Sequence, residues 1–293
     1  AALLKEAAGY WKGERWISQW KEFTVFALKD GDKIYAREPV LHIVGPYAYF
    51  AHLESLYLGI LARRTLVATN VRAAVDAAHG KPVMFFADRF DYFQNQEGDG
   101  FAAHIGGASG VCTPAHASWW GGKPIGTIPH ALIAINNGDA IESARQFVKH
   151  FPKVPLIVLV DYGNDCVATA LAVVSALKGK IHGVRIDTAK DMTDVSLQPM
   201  TQKGVTPQLA QNVRKALNQS HYDKVKIIVS GGFTPEKIRL FENKRTPVDI
   251  YGVGSALLKG GNDFTADVVK VGGRPQAKKG RFYKVNNRMH VIK

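Results

Sequence analysis

The chain has little cysteine, no long hydrophobic run and no leader pattern, and each shortage excludes a class. Two cysteines among 293 residues, Cys112 and Cys166, cannot build a disulfide framework, and neither stands in a metal-ligand pair. No apolar stretch approaches the roughly 18 residues that span a bilayer. The start shows no basic-then-apolar leader, so a reducing cytoplasm is the expected location. The first residue is Ala1 rather than methionine, as expected of a processed or truncated product. Beyond the strand–helix rhythm described below there is no internal repeat, and no segment is of low complexity.

What is present is a foldable composition with an excess of one charge. The chain is 46% hydrophobic and 22% charged, which predicts a folded core. Its length suits one large α/β domain and a smaller one. Lysine and arginine total 38 against 25 carboxylates, a formal net charge of +13. Such an excess serves nucleic acid, or a polyanionic small molecule drawn into a focused positive cleft. Aromatics are not interleaved with the lysines, and the basic residues are dispersed apart from Lys278-Lys279-Gly280-Arg281. Both features disfavour a single-strand nucleic-acid module.

The hydrophobic pattern changes along the chain. Residues 1–20 mix helix and turn signals, with Trp11, Trp16 and Trp20 expected to pack. Residues 24–28 and 39–44 read as strands of a small sheet layer. From Tyr49 to Ala78 the apolar spacing is helical, with a division expected at Arg63-Arg64-Thr65. Seven strand-like segments follow, at 82–86, 102–105, 124–128, 156–160, 181–186, 226–229 and 248–251. Helical stretches lie between them, among them one capped by Thr206 with Pro207 at its first position. Such alternation means parallel strands with helical crossovers. A doubly wound open sheet fits; an incomplete (β/α) barrel is preferred, because nearly every strand ends in a polar side chain or glycine and barrel strand ends share one mouth. The expected division is an N-terminal α/β sandwich domain (1–78), the α/β barrel (79–265) and a tail returning to the sandwich (266–293).

The strand ends supply Arg89, His130, Asp161, Arg185, Asp187, Ser230 and the turn Gly252-Val253-Gly254-Ser255. Two consecutive strands end in glycine turns with hydroxyls, Ser230-Gly231-Gly232 and Gly252 to Ser255. The second is expected to open a helix, and turns of this kind cradle phosphate. Arginine presents a fork for a carboxylate or phosphate, although an ion pair of Arg89 with Asp88 or Asp91 fits as well. Arg185 and Asp187, two apart on a strand, share a face and serve either as a structural pair or with Arg185 on an anion and Asp187 on ribose hydroxyls or Mg²⁺. His130 follows a strand end, where a neutral imidazole is available as nucleophile or base. His182, inside a strand, is expected in the core or lining.

Several stretches, in order, resemble nicotinate phosphoribosyltransferase: Arg37-Glu38-Pro39-Val40-Leu41, Gly126-Thr127-Ile128-Pro129-His130, Gly183-Val184-Arg185-Ile186-Asp187-Thr188, Asp249 to Ser255, and Gly273-Arg274-Pro275 to Lys279-Gly280-Arg281. The similarity runs from about Lys21 to the end. It implies a type II phosphoribosyltransferase fold, and a reaction of nicotinate with 5-phosphoribosyl-1-pyrophosphate to give nicotinate mononucleotide, coupled to ATP hydrolysis, in NAD biosynthesis. It implies that His130 is phosphorylated, that Arg89 lies near the nicotinate carboxylate, and that Arg185 and Asp187 belong to the site. Thr127, Asp161 and Arg63 complete the substrate-binding candidates, and Asp187 and Asp161 are the available carboxylates for Mg²⁺. Homo-oligomers, at least dimers, are expected.

The chain departs from that family at two places. Phe90 stands where a second arginine is usual, and no Asp-x-Tyr signature is visible in residues 1–20. Quinolinate phosphoribosyltransferase is the alternative, sharing the fold and a Ser-Gly-Gly turn. Its first strand typically ends in Arg-Lys where this chain has Arg89-Phe90, and its helix carries an arginine after the glutamate where Glu54 is followed by Ser55; both differences favour a monocarboxylate. A second alternative is a non-catalytic barrel binding nucleotides or nucleic acid through its positive face.

Overall fold

The computed structural model describes residues 2–126, 128–178 and 180–292. The chain forms two compact units, Ala1–Leu66 with Gly261–Lys293, and Val67–Gly260. The division falls inside a helix rather than after residue 78.

The first unit opens with α1 (Ala2–Ala7) and a hairpin of β1 (Gly9–Lys12) and β2 (Arg15–Ser18), turned by Gly13 at φ 63°. That hairpin is not legible in the sequence pattern. Next come β3 (Thr24–Ala27) and β4 (Leu41–Val44), paired antiparallel. A small core of Leu4, Ala8, Phe23, Val25, Phe50 and Leu53 holds this layer, each fully buried large side chain contributing about 1.5–3 kcal/mol. Helix α2 (Glu54–Ala77) is continuous through Arg63-Arg64-Thr65, against the expected break. That triplet contains neither glycine nor proline, and arginine is among the better helix formers.

The second unit alternates β5 (Val83–Phe85), α3 (Gln96–Gly106), β6 (Gly110–Val111), α4 (Pro114–Ala117), α5 (His130–Ile135), α6 (Ala140–His150), β7 (Leu156–Leu159), α7 (Cys166–Leu177), β8 (Ile181–Ile186), α8 (Pro207–Gln219), β9 (Lys226–Val229), α9 (Pro235–Asn243) and β10 (Ile250–Val253). The six strands form one parallel sheet in the order β6-β5-β10-β9-β8-β7. Its two edges are joined by residues 124–128. Ile125 N–H donates to Val111 O at 2.7 Å, on one edge, and Ile128 N–H to Ile157 O at 3.2 Å, on the other. One short segment can reach both edges only if the sheet curls, so this is an incomplete barrel and not an open sheet. The described residues of this segment make no regular strand, and Pro124 lacks an N–H to donate.

Alternation sorts the strand residues between two faces. Val83, Phe85, Val158, Val184, Ile227 and Val253 are buried in the main core. The opposite face carries Met84, Ile157, Gly183, Arg185, Ile228 and Gly252, which the strand register places side by side. Glycine at two of these positions lets large neighbours cross the interior. A Cβ on Gly183 would lie 2.6 Å from Ile228 Cδ1, and one on Gly252 2.6 Å from the Phe86 ring. An apolar cavity of about 190 Å³ remains among Met84, Ile125, Ile157, Ile228 and Ile250. His182 also lines it but is exposed and not core.

Residues 102–105, expected as a strand, lie in α3. Alanines favour helix, and Gly107 at φ 98° is its left-handed C-cap, so the Gly106-Gly107 pair ends a helix and not a strand. The strand of that unit is the two-residue β6. Thr206 caps α8 and Pro207 begins it, as the sequence predicts. The tail forms β11 (Lys270–Val271) and β12 (Arg274–Pro275), then β13 (His290–Val291), which pairs antiparallel with β3. Among the described residues no helix is long and apolar enough to cross a membrane.

Candidate active site

The carboxyl ends of the barrel strands bring most of the sequence-derived residues together. His130 is the first residue of α5, and its Nε2 lies 2.9 Å from Asp161 Oδ2, just beyond β7. The Asp161 side chain is 6% exposed against 43% for His130, so the carboxylate is a fixed anchor and the ring its more accessible partner. That hydrogen bond holds the His130 pKa above its ordinary value, with burial opposing; the charge of Asp187 adds to the rise and that of Arg185 works against it. The imidazole therefore feels both charged groups of β8. Asp161 Oδ1 is buried with no hydrogen-bond partner among the described residues.

At the end of β8, Arg185 Nη2 lies 3.1 Å from Asp187 Oδ2, and the guanidinium sits 5.5 Å from the Phe86 ring centroid. Asp187 Oδ1 accepts a hydrogen bond from Ser230 Oγ at 2.8 Å. Ser230 in turn borders β10, since a Cβ on Gly252 would lie 3.2 Å from its Cβ. Arg185, Asp187, Ser230 and Gly252 are thus a continuous series across three adjacent strands.

The two glycine turns follow. Gly231 and Gly232 adopt φ of 84° and 67°, a conformation that favours glycine, and Gly231 packs so close to Asp187 that a Cβ would stand 3.1 Å from Oδ1. Beyond β10 the chain enters a 3₁₀ turn, Ser255–Leu258, and not the expected α-helix. Among the described residues, Gly231, Gly232, Gly254 and Ser255 donate none of the backbone hydrogen bonds made outside helices and strands.

Arg89 is exposed on the turn after β5, its guanidinium 5.3 Å from the Phe90 ring centroid. Phe90 leans on the second glycine turn, where a Cβ on Gly254 would meet its ring at 2.7 Å. Thr127 lies outside the described residues. Arg63 belongs to the first unit, on α2. Two residues near the mouth escaped the sequence reading. Cys112 donates to Phe85 O, and burial pushes its thiol pKa up, which makes it a poor nucleophile. Lys237 on α9 reaches Gly231 O at 3.1 Å; its one sequence signal is a position three residues after the capping Thr234.

Among the described residues no group of three or more histidine, cysteine or acidic side chains could hold a metal. Two carboxylates, Asp161 and Asp187, do stand at the mouth, one with an unpartnered oxygen. Mg²⁺ is commonly bound by one or two carboxylates together with substrate phosphates, so these residues fit an ion that arrives with a phosphorylated substrate.

No family model matches the chain. A nicotinate phosphoribosyltransferase of Mycobacterium tuberculosis, pncB1, is 27% identical over 246 residues, 82% of this chain and 51% of that protein. The crystal structure of nicotinate-nucleotide pyrophosphorylase from Pyrococcus furiosus matches with a TM-score of 0.79 at 35% identity, over 92% of this chain and 68% of that one. The chain belongs to the type II phosphoribosyltransferase family. The structure of human nicotinic acid phosphoribosyltransferase, 20% identical, covers 87% of this chain and 58% of that one with a TM-score of 0.67, which speaks to fold alone. The family's type II fold accounts for the incomplete barrel. The chain spans about half the length of the curated relatives it matches.

Proposed function

We propose that this chain forms nicotinate mononucleotide from nicotinate and 5-phosphoribosyl-1-pyrophosphate, with ATP as co-substrate, in cytoplasmic NAD biosynthesis. The observation that carries the reading is the convergence, at one end of the curled sheet, of the His130–Asp161 pair, the Arg185–Asp187–Ser230 series and two glycine turns with uncommitted N–H groups.

In this reading the turns at Ser230-Gly231-Gly232 and Gly252 to Ser255 hold the 5′-phosphate. Arg89 takes the nicotinate carboxylate and aims the ring nitrogen at C1 of the ribose, which converts binding into proximity. The ring nitrogen supplies the electron pair for the new C–N bond, and pyrophosphate departs with the electrons of the broken C1–O bond. Positive charge grows on the sugar meanwhile. Asp187, fixed from both sides, places a carboxylate near the ribose, and Arg185 faces the anionic leaving group. Mg²⁺, held by Asp161 and Asp187 with the pyrophosphate, would supply further charge neutralisation. Asp161 fixes His130 through Nε2, which leaves Nδ1 as the nitrogen to accept a phosphoryl group from ATP. Arg89 has Phe90 and not a second cation beside it, which suits one carboxylate rather than two. A homo-oligomer, at least a dimer, fits the exposed Val44, Phe282, Val285 and Val291 of the first unit.

The test is a parallel assay of nicotinate, nicotinamide and quinolinate with 5-phosphoribosyl-1-pyrophosphate, with and without ATP. Nucleotide formation from nicotinate, stimulated by ATP, is expected. Carbon dioxide release from quinolinate, or no nucleotide from any base, would overturn the reading.

A further inference from the structure

Beside the Ser230-Gly231-Gly232 turn stands a cation that no motif of the chain contains. Lys237 is the third residue of α9, and its N–H is capped by Thr234 Oγ1 at 3.3 Å. A lysine there opposes the positive end of the helix dipole. The side chain nevertheless turns back from solvent. Nζ donates to Gly231 O at 3.1 Å and lies 4.5 Å from the centroid of the buried Phe233 ring. Burial pushes its pKa down, with Asp187 opposing. Among the described residues it makes no ion pair; its nearest strong partners are one carbonyl and one ring. A charge disfavoured by its helix and by burial, with no direct ion pair among the described residues, has been placed against a turn whose Gly231 and Gly232 N–H groups make no backbone hydrogen bond. One phosphate group would satisfy all of these groups together.

We infer that Lys237 binds the 5′-phosphate of the phosphoribosyl substrate and of the mononucleotide product, its ammonium passing from the Gly231 carbonyl to a phosphate oxygen. This rests on the function proposed above and adds to it a side-chain cation in the phosphate cradle. Glycine turns alone hold phosphate through backbone donors, which no side-chain substitution removes. A lysine ligand makes the affinity depend on one replaceable charge.

The experiment is calorimetric titration of the full 293-residue chain with nicotinate mononucleotide and, separately, with nicotinate riboside, which lacks only the phosphate. Lys237→Met is expected to weaken mononucleotide binding about 10- to 100-fold and to leave riboside binding unchanged. Lys237→Arg should restore most of the loss, and the melting temperature of Lys237→Met should not fall, because a charge unfavourable to the helix has gone. Equal loss for both ligands would make Lys237 merely structural, and no loss for either would remove it from the site. Weakened binding of 5-phosphoribosyl-1-pyrophosphate with the mononucleotide unaffected would move it to the pyrophosphate; each of these results overturns the inference. A wild-type chain that binds neither ligand would instead overturn the function on which it rests.

Discussion

Replacing Asp187 with asparagine keeps the shape of the mouth and removes its central negative charge. Both oxygens of Asp187 are in use, Oδ2 at 3.1 Å from Arg185 Nη2 and Oδ1 at 2.8 Å from Ser230 Oγ. An asparagine keeps one acceptor and gains an NH₂. The less costly orientation turns the NH₂ toward Ser230, whose hydroxyl can accept, and leaves the oxygen on Arg185. What is lost from the fold is the charge assistance of one bond, about 1–2 kcal/mol, or a melting temperature lower by a few degrees. The rate should suffer more. In the proposed reaction positive charge grows on the sugar next to this carboxylate, and removing one preorganised electrostatic partner of a transition state costs about 3–4 kcal/mol, or 10²- to 10³-fold in kcat/KM. The assay pairs steady-state mononucleotide formation with thermal unfolding of the same preparation. A variant whose kcat/KM stays within about threefold of wild type while its melting temperature drops would show Asp187 to be only the structural partner of Arg185, and the catalytic argument would fail.

In the proposed mechanism the neutral imidazole of His130 is the nucleophile and Asp161 holds its proton, so ATP-coupled turnover should rise with pH through a value above 6.5. Asp161→Asn should move that rising limb to lower pH, and a limb that stays in place would separate His130 from the coupling. Stability runs the other way. A histidine pKa raised in the folded state means that the pair's contribution is complete below pH 6.5 and fades as pH climbs through the folded value, which denaturant titrations at several pH values can follow. Arg89→Ala should raise KM for nicotinate about 10- to 100-fold with a smaller change in kcat, and equal KM values would remove Arg89 from the base site. Gly100→Ala should destabilise by about 3 kcal/mol, since its Cβ would stand 2.1 Å from the backbone oxygen of His116; an unchanged melting temperature would contradict that packing.

Five of the six barrel strands were legible because runs such as Leu156-Ile157-Val158-Leu159 and Lys226-Ile227-Ile228-Val229 are short, β-branched and bounded by turn signals. The sixth, Gly110–Val111, is two residues long and carries no periodicity to detect. Its place was taken by Ala102 to Ile105, where a short apolar run before two glycines suits a strand end and a helix end equally. The β1–β2 hairpin was hidden because Gly9-Tyr10-Trp11-Lys12 does not alternate cleanly, three of its four residues being exposed. At the mouth the sequence supplied His130 and Asp161 as separate strand-end residues. Their pairing across 31 positions depends on the curl of the sheet, which no local pattern records. Lys237 was missed for a related reason, since a lysine in a helix reads as a solvated charge until the fold turns it inward.

The net charge of +13 is a weaker guide to the substrate than it first looks. At the mouth three cations, Arg89, Arg185 and Lys237, stand with three carboxylates, Asp88, Asp161 and Asp187, and a histidine. That leaves no excess of positive charge when His130 is neutral, so these side chains alone do not balance the proposed substrate with its phosphate and pyrophosphate. In the proposed function the shortfall falls to groups that carry no formal charge, the N–H donors of the two glycine turns, and to a divalent ion brought with the pyrophosphate. The dispersed surface lysines act at longer range, where salt screens them within about 10 Å, so they favour encounter more than binding. Added salt should therefore slow association while the affinity for a mononucleotide, which the proposal assigns to the turns and Lys237, changes little. The sequence motif that matters for affinity is the pair of glycine turns, and the lysine count is a statement about approach.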